Sequence, residues 1–589
     1  MVKPEAGQQS IVGTSRILAV LSVISLVFWS GSAMAQSASE VVPGSFAPTG
    51  QRFTGTVVFS GERGTKAPPG SENLLITLAG LEIEGGLAEM ADAHDATRNR
   101  LTGETITVAE IFNAASDLEA AYARSGFVLA RVILPAQNLR DGGRMRIVVV
   151  DGFVESIDSQ AAPEQVRDRI NGLTDPLVGR RGLKLQELER RLLLAGDTYG
   201  IALGSALAAG ATPGATTLIL QPEFRPVTGF LAFDNSVSEE LGPVVFSTGV
   251  ELNSPLSLGE TFYARLSGAL SGDNANGVGA FLSDDPRLRT ISLGAIVPLG
   301  LDGMTLNVEG TDSRSAPNTL TAPTVSRFQR QSVRLFYPFI RSRNRNISGR
   351  LTFDKQSDEQ FLVVPPGRSP IYRDETAVLR FAADGFWLTE NNAAIEAGAV
   401  LSQGMDAFGA RTAAAAAATS IPLSRIGADA EFSKLVLSGR VRKEITEQFN
   451  LSLAGRAQTS FGDALVTGEQ FGIAGGQEIS AFDAGSLKGD SGWVARAEVS
   501  APFQKSIQDL PLLISPYAFA AVGGVSLEQP TGTEQAQVNA SAVGIGIEFN
   551  TLQKSNFSNG TMRIEYARGN RDDSQPDNDR FSILGSFRF

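Results

Sequence analysis

The chain has 589 residues and a net charge of -12, with no Cys and a single His. The missing Cys excludes thiol catalysis, Cys-ligated zinc and disulfides, and one His excludes sites built from several His ligands. The acidic balance disfavours nucleic acid as a partner, because phosphates call for a basic surface. We expect no metal, no cofactor and no nucleic-acid partner.

The first residues have the anatomy of a secretory signal peptide. The apolar run Ile17–Trp29 follows Lys3 and Arg16, and Ala33-Met34-Ala35 supplies a cleavage signal. The run is shorter than the roughly 20 residues that a membrane-spanning helix needs. We therefore expect residues 1–35 to be removed on export, leaving a protein without a helical anchor that lies in the periplasm or forms an outer-membrane barrel.

Residues 36–70 are rich in Ser, Gly, Pro and Thr and are predicted to be a linker or a loosely ordered lead-in. Two small α/β domains are predicted next, over residues 71–151 and 152–225, from helical and strand periodicity. The predicted elements of the first are Leu74–Glu84, the helix Thr107–Ser125, Phe127–Leu134 and Arg144–Val150. Those of the second are Phe153–Ser159, the helices Pro163–Ile170 and Lys184–Leu194, Ala206–Ala211 and Thr217–Gln221.

The run Tyr122–Gln137 (YARSGFVLARVILPAQ), followed by Asp141-Gly142 and Val148–Val154, resembles a POTRA domain of the type found in two-partner secretion transporters. Gly210-x-x-x-Gly214 resembles part of the second POTRA domain of that family. The resemblance implies that the domains bind an extended substrate as an added strand, since main-chain hydrogen bonds accept any sequence. They could instead be spacers below a barrel. The candidate substrate-binding residues are Tyr122, Gly126, Phe127, Arg131, Pro135 and Gln137.

From residue 226 to 589 the chain consists of short segments with alternating apolar residues. The predicted strands are Val227–Asn235, Pro243–Leu252, Glu260–Leu270, Leu288–Pro298, Met304–Asp312, Gln331–Ile340, Asn346–Lys355, Glu375–Phe386, Ala393–Gln403, Phe432–Arg442, Phe449–Thr459, Ser491–Phe503, Leu512–Gly523, Ala540–Phe549, Gly560–Gly569 and Asp579–Phe589. Sixteen is an even number, as expected for a single-chain bacterial barrel. The predicted fold class is mainly β, an antiparallel transmembrane β-barrel preceded by two POTRA domains.

The connections between these strands alternate in length. Turns such as Leu299–Gly303 and Arg341–Arg345 are short, whereas most connections in between are longer. Short turns on one rim and long loops on the other are typical of a membrane barrel, and they place the POTRA domains in the periplasm. The longest predicted outer loops are Ser271–Arg287, Ser357–Asp374, Gly404–Glu431 and Ser460–Asp490.

The closing strand Asp579–Phe589 carries aromatic residues on one face and polar residues on the other. Alone, it fits a soluble strand with one buried face equally well; as a sixteenth strand it needs Val227–Asn235 as its neighbour. Phe587 and Phe589 resemble the signal by which the assembly machinery recognises outer-membrane barrels. Deletion of Phe589 is therefore expected to impair insertion more than substrate docking.

The sixth long loop carries two motifs of POTRA-bearing barrels. Glu469–Gly475 resembles the motif that opens this loop and Gly489-Asp490-x-Gly492 the one that closes it, and the resemblance implies a loop folded back into the lumen. Ser480 stands where the family has a tip Arg, and Ala521 where the next inward strand has its Asp partner. Losing both is consistent, because one unpaired buried charge costs more than losing the pair. The candidate pore-loop residues are Phe471, Gly475, Gly476, Ser480, Phe482, Asp483, Gly489 and Asp490.

We expect hydrogen bonds, or packing through Phe482, to replace the missing tip pair. Gly489-Asp490-Ser491-Gly492 also resembles the surroundings of a chymotrypsin-type serine, but that chemistry needs a His base. His94 lies in the first domain and is expected to be a solvated residue. The chain is therefore not expected to be an enzyme.

The resemblance implies an outer-membrane transporter that captures an unfolded, haemolysin- or adhesin-like exoprotein through its POTRA domains and secretes it through the barrel. The expected partners are a large secreted exoprotein, outer-membrane lipid, the barrel assembly machinery and periplasmic chaperones. The alternatives are an insertase of the BamA or TamA type and a passive porin.

Overall fold

The structure is a computed structural model that describes residues 36–48, 57–59, 66–269, 281–319, 323–364, 366–508, 510–552 and 557–589. The predicted signal peptide, residues 1–35, lies outside the described residues. Residues 36–48 lie inside the barrel and include a 3-10 turn, Ala38–Glu40. This differs from the loosely ordered lead-in expected here, because polar contacts with the barrel wall hold the segment. Strand β1 (Val57–Phe59) follows.

The first periplasmic domain folds as a four-stranded sheet covered by two helices. Its elements are β2 (Leu75–Glu84), α1 (Ala91–Leu101), β3 (Thr105–Thr107), α2 (Val108–Arg124), β4 (Arg131–Ile133) and β5 (Gly143–Val150), with sheet order β3-β2-β5-β4. Thr107 and Glu110 form a capping box that starts α2. The predicted strand from Phe127 begins only at Arg131, because the Ala130 N–H donates to the Phe127 carbonyl and closes a turn.

The second domain comprises β6 (Phe153–Asp158), α3 (Glu164–Thr174), α4 (Leu185–Gly196), β7 (Ile201–Ala209) and β8 (Ala215–Phe224). Its sheet has the order β1-β7-β8-β6, so β1, which precedes the first domain in the chain, pairs with the sheet of the second domain. Short 3-10 turns lie at Ser71–Asn73, Ala88–Met90, Asp175–Leu177 and Thr467–Glu469. None of the helices in the described residues combines the length and apolarity that crossing a membrane requires.

Sixteen antiparallel strands close a barrel, which confirms the predicted strand number and fold class. The twelfth strand is interrupted at residues 501–502, where Pro502 has no N–H to donate; its two parts, Ser491–Ser500 and Phe503–Ile507, both pair with Leu510–Ser526. The barrel strands are β9 (Val227–Asp234), β10 (Val245–Asn253), β11 (Thr261–Ala269), β12 (Leu288–Leu299), β13 (Met304–Ser315), β14 (Thr324–Arg341), β15 (Arg345–Val364), β16 (Gly367–Leu388), β17 (Ala394–Met405), β18 (Ser433–Thr446), β19 (Phe449–Thr459), β22 (Ser491–Ser500), β23 (Phe503–Ile507), β24 (Leu510–Ser526), β25 (Gln537–Thr551), β26 (Asn559–Arg571) and β27 (Asn578–Arg588).

Two of the long outer connections contain structure of their own. The fifth contains the short helix α5 (Ala413–Ala417), and the sixth contains the pair β20 (Phe471–Gly472) and β21 (Lys488–Gly489). The predicted loop Ser357–Asp374 is instead almost entirely strand, because β15 and β16 continue as a paired hairpin beyond the rim. Glu359 and Arg373 face each other in register there and form an ion pair.

The closing strand meets the first strand in a short seam. β27 and β9 share five register pairs, from Leu584↔Asp234 to Arg588↔Phe230, whereas β26 and β27 share eleven. Phe589 extends the seam, since its N–H and carbonyl exchange hydrogen bonds with Gly229 at 3.0 and 2.9 Å. The aromatic side chains of β27 point outward, with Phe581 59% exposed, whereas Ser582 is buried. The soluble-strand alternative is therefore excluded.

Candidate functional site: a lumen with two segments folded into it

The lumen contains a cavity of about 830 Å³ between the sixth loop and strands β15–β19. It begins beside the periplasmic turns, at Asn346 and Ser348. Its charged lining residues include both signs: Asp384, Glu396, Arg440, Arg456, Glu478 and Arg496. The wall of this cavity is therefore polar and of mixed sign.

Two buried acidic residues fix the base of the sixth loop to the barrel wall. Glu469 pairs with Arg380 of β16 (Nη2–Oε1 2.5 Å) and Lys434 of β18 (Nζ–Oε2 2.8 Å). Asp490 accepts both of its bonds to Arg425, at 2.6 and 2.7 Å, from one guanidinium nitrogen, and it also accepts the backbone N–H of Glu528. A buried carboxylate needs such partners because it has given up water.

The limbs of the loop are shaped by one aromatic residue and two glycines. Phe471 is buried beneath the guanidinium of Arg456, which lies 4.4 Å from the ring centre. Gly475 and Gly476 both have positive φ, and a Cβ on Gly475 would lie 2.7 Å from Ala484. Strands β20 and β21 pair with each other in a separate sheet and not with the barrel. Within the described residues, the loop is therefore attached to the barrel wall mainly by side-chain contacts and not by strand pairing.

The loop tip is held by Glu565 of β26, a predicted strand, but the sequence did not indicate this carboxylate as the partner of the tip. Ser480 donates its hydroxyl to Glu565 of β26, and Arg496 of β22 pairs with the same carboxylate at 2.6 Å. Tyr517 and Arg563 also donate to Glu565, at 2.8 and 3.1 Å. The Ser480 hydroxyl is thus one of several donors to Glu565 at the loop tip; that this contact replaces the family's tip Arg stays a prediction.

Packing reinforces this contact. Phe482 is buried in one apolar cluster with Ala521, the position that lacks the family's Asp. Ala521 of β24 lies in register with Arg496 of β22, so the small side chain lies opposite the arginine. A Cβ on Gly569 would lie 2.8 Å from the Phe482 ring, so Gly569 leaves the ring its space. The loop tip therefore combines one polar contact with one aromatic contact.

The tip also reaches the barrel seam. Asp483 forms an ion pair with Arg580 of the closing strand, and Arg580 in turn donates to the carbonyls of Asn235 and Val237, just beyond the first strand. The Ala484 N–H donates to the carbonyl of Ser236 at 2.9 Å. Residues of the loop tip thus bridge the two strands that close the barrel.

Residues 36–48, which we call the N-terminal segment, form the second body in the lumen. Glu40 pairs with Lys488 of the sixth loop, and Ser39 donates to Asp358 of β15 at 2.6 Å. Farther along, Phe46 donates its N–H to Glu309 of β13 at 3.0 Å. The sequence predicts only a linker or a loosely ordered lead-in here; the one signal for this segment is the capping box Ser37-x-x-Glu40 within a stretch poor in apolar periodicity.

Polar and charged residues of the second domain fix it to the periplasmic rim. Arg190 of α4 donates to the Pro338 carbonyl at 3.1 Å. The Asp197 carboxylate accepts hydrogen bonds from two nitrogens of Arg341 in β14, Nη2 at 2.6 Å and Nε at 2.7 Å. Tyr199 donates to the carbonyl of Pro48, and burial raises the pKa of Tyr199 to about 12, so the phenol keeps its proton. The N-terminal segment, this domain and the barrel are therefore in contact.

The six POTRA residues predicted to bind substrate have different surroundings. Tyr122 and Phe127 are buried in the domain core, so a docked strand does not reach them, and Gly126 provides the positive φ of the turn between them. Gln137 caps an edge: its amide donates to the Arg146 carbonyl at 2.8 Å and accepts the Arg146 N–H at 2.9 Å. Direct contact with substrate thus remains a proposal only for Arg131, Pro135 and Gln137, which keep partly or largely exposed positions.

His94 is half-buried, not solvated as expected. Its Nε2 is 2.7 Å from the Tyr122 hydroxyl, and the two rings stack at 5.8 Å. Burial, and then the nearby charge of Arg98, lower the pKa of His94. Across the described residues no three His, Cys, Asp or Glu side chains are grouped so that they could hold a metal ion.

Comparisons with known proteins match both parts of the chain. Residues 77–152 match the POTRA domain of ShlB type. Heme/hemopexin transporter protein HuxB of Haemophilus influenzae (strain 86-028NP) is 23% identical over 176 residues, 30% of each chain. Outer membrane transporter CdiB of Escherichia coli O6:K15:H31 (strain 536 / UPEC) is 26% identical over 146 residues, 24% of each chain. The matched region thus spans less than a third of these curated relatives.

Solved structures share the fold. CdiB from Escherichia coli superposes with a TM-score of 0.63 at 17% identity, covering 89% of this chain and 92% of that one. CdiB from Acinetobacter baumannii gives a TM-score of 0.58 at 16% identity, covering 88% and 90%. Residues 215–549, more than half of the chain, match haemolysin secretion/activation protein ShlB/FhaC/HecB. The protein therefore belongs to this family of two-partner secretion transporters, and its barrel lies in the outer membrane with the POTRA domains in the periplasm.

Proposed function

We propose that this protein takes an unfolded, haemolysin- or adhesin-like exoprotein from the periplasm through its POTRA domains and conducts it through the barrel to the cell surface. One observation carries the proposal: the lumen is filled by two segments that are not strands of the wall. The N-terminal segment and the sixth loop are held largely by side-chain contacts, which can exchange without opening the barrel.

The contacts inside the lumen suit segments that move. Glu40 and Lys488 join the N-terminal segment to the loop, so displacement of one removes a partner of the other. The cavity beside them already extends from the periplasmic rim. Withdrawal of both segments would lengthen this cavity into a polar conduit, whose mixed charges match an extended chain of variable sequence.

The position of the second domain supports delivery of substrate to this opening. Arg190 and the Arg341–Asp197 pair fix the domain to turns on the periplasmic rim. A chain bound on the domain's sheet would therefore be held beside the cavity and would not have to find it by diffusion. This arrangement favours a transporter over a passive porin, for which attached sheet domains serve no purpose.

The test is to delete the gene and compare, by mass spectrometry, the proteins released into the medium. We expect one large exported protein to disappear and to return with the wild-type gene. A second strain carries a variant with Ser236→Cys and Ala484→Cys, at two positions whose backbones are hydrogen-bonded. Because the chain has no other Cys, oxidation can form only this cross-link between the loop tip and the segment after the first barrel strand. This variant should restore secretion only in the presence of a reductant.

Loss of barrel proteins from the outer membrane, with the medium unchanged, would refute the proposal and indicate an insertase. The short β27–β9 seam is the feature that this alternative would use. Unchanged secretion by the oxidised cross-linked variant would show that the loop does not leave the lumen during transport.

A further inference from the structure

Two buried carboxylates face each other at the outer end of the lumen. Asp358 of β15 and Asp374 of β16 are register partners, and each is only 4% exposed. Asp358 lies on the same strand face as the buried residue Asp354, so the pair is on the inner face of the barrel. Like charges directly opposite each other destabilise a sheet. The pair therefore needs something that compensates its charge.

No cationic side chain of the described residues forms an ion pair with either carboxylate. The neighbouring acidic residue Asp354 differs, since it pairs with Arg380 at 2.8 Å. Arg411 of the fifth outer connection lies near Asp374, but its guanidinium donates to backbone carbonyls, among them that of Arg373 at 2.6 Å. The charge of the pair is therefore not balanced by a contact within the described chain.

Hydrogen bonds leave one oxygen of each carboxylate without a partner. Asp358 Oδ2 accepts the hydroxyl of Ser39 at 2.6 Å and that of Tyr372 at 3.3 Å. Asp374 Oδ1 accepts the N–H of Ser424 at 2.8 Å. Asp358 Oδ1 and Asp374 Oδ2 are buried and accept no hydrogen bond from the described residues. Such oxygens are costly to bury unless a proton, a water or an ion compensates them.

We propose that Asp358 and Asp374 hold a divalent cation, Mg²⁺ or Ca²⁺, through their two unpartnered oxygens. A divalent cation balances both negative charges, whereas a single shared proton balances only one. Carboxylate oxygens are the ligands that these hard cations prefer. The scarcity of His and Cys, from which the sequence predicts no metal, does not bear on a site built from oxygen ligands.

Two carboxylates are sufficient for such a site. Mg²⁺ in proteins is often held by one or two carboxylates and keeps several of its waters. The pair therefore need not belong to a group of three acidic, His or Cys side chains, none of which occurs in the described residues. The hydroxyls of Ser39 and Tyr372 orient Asp358 from one side and leave its Oδ1 available to the cation.

The site joins four parts of the chain. Asp358 and Asp374 belong to neighbouring strands, Ser39 to the N-terminal segment and Ser424 to the fifth outer connection. A bound cation removes the repulsion between the two strands and holds both carboxylates where these hydroxyl and N–H donors reach them. The cation should therefore stabilise the folded barrel. This property does not depend on whether the protein secretes an exoprotein.

The test uses the purified full-length protein in detergent, freed of metal ions with EDTA and then dialysed. Titration calorimetry with Mg²⁺ alone and with Ca²⁺ alone should show a single cation bound per chain. The same cation should raise the midpoint of thermal unfolding on a semi-native gel. Asp374→Asn removes one of the two ligand charges and should weaken binding at least roughly tenfold.

A matched control distinguishes this site from binding to other carboxylates or to copurified lipid. Asp384 also lies on the inner face of β16, but Arg350 is 3.8 Å away. Asp384→Asn should therefore bind the cation as the wild type does. Equal binding by the wild type and Asp374→Asn, or a wild-type midpoint that neither cation raises, would overturn the inference.

A double variant controls for misfolding. Asp358→Asn with Asp374→Asn keeps the shape of both side chains and removes both charges. It should bind no cation, and its unfolding midpoint should be the same with and without Mg²⁺ or Ca²⁺ and no lower than that of the metal-free wild type. A wild-type midpoint that ignores both cations and falls as the pH rises would show that the pair shares a proton, which also overturns the inference.

Discussion

Replacing Ser480 with Arg would restore the family's tip residue, and we expect it to destabilise this barrel. Ser480 is 2% exposed and has no room for a longer side chain. Its acceptor, Glu565, already receives bonds from Ser480, Arg496, Tyr517 and Arg563, about as many as a carboxylate can accept. An added guanidinium would therefore lie beside two others without a free acceptor.

The expected loss in the free energy of unfolding has two physical causes. Overpacking of a buried site costs about 1–3 kcal/mol, and loss of the Ser480 hydrogen bond costs roughly 1 kcal/mol more. The sum, about 2–4 kcal/mol, should lower the temperature at which the folded barrel converts to the unfolded form on a semi-native gel. Ala521→Asp should recover part of it, because position 521 lies in register with Arg496 and offers that guanidinium a second carboxylate.

Two control variants separate size from charge. Ser480→Ala removes only the hydroxyl, so its loss should stay near 1 kcal/mol. Ser480→Met adds length without charge and should fall between Ala and Arg. An unchanged midpoint for Ser480→Arg would refute the reasoning. If Ser480→Met lowers the stability as much as Ser480→Arg, or if adding Ala521→Asp recovers no stability, the loss comes from side-chain volume and the pairing argument fails.

Three further predictions concern other parts of the chain. Burial lowers the pKa of His94, so its stabilising effect is complete above the usual imidazole value of 6.5 and is lost as pH falls through the lowered value. The protection factors of the α2 amides, taken from hydrogen exchange after correction for the pH dependence of intrinsic exchange, should therefore fall as the pH is lowered below 6.5, and His94→Gln should remove that dependence. Asp197→Ala leaves Arg341 half-buried without its carboxylate and should expose the second domain to limited proteolysis, whereas Glu187→Ala, whose partner Arg180 is exposed, should not. Deleting Phe589 removes two seam hydrogen bonds and an exposed aromatic ring. The amount of heat-modifiable barrel in the outer membrane should therefore fall, while the amount of exoprotein bound per inserted barrel should stay unchanged.

Local patterns were sufficient for the architecture. The number of barrel strands follows from a period of two and from turns, both of which are properties of neighbouring residues. The position of α2 follows in the same way from its apolar spacing and its capping box. The motifs at Glu469 and Asp490 identified the sixth loop, because each is a continuous run of sequence.

Contacts between distant residues could not be predicted in this way. Ser480 and Glu565 are separated by 85 positions, and no local pattern distinguishes Glu565 from other inward-facing carboxylates. Glu40 and Lys488 are 448 positions apart. The predicted loop after Ser357 failed for a related reason: only pairing with β16 keeps β15 extended. The repeat of strands and the order of domains could be predicted because they depend on residues that are neighbours in the chain. The barrel closes around two of its own segments because particular distant residues meet, so this closure follows only from the tertiary structure.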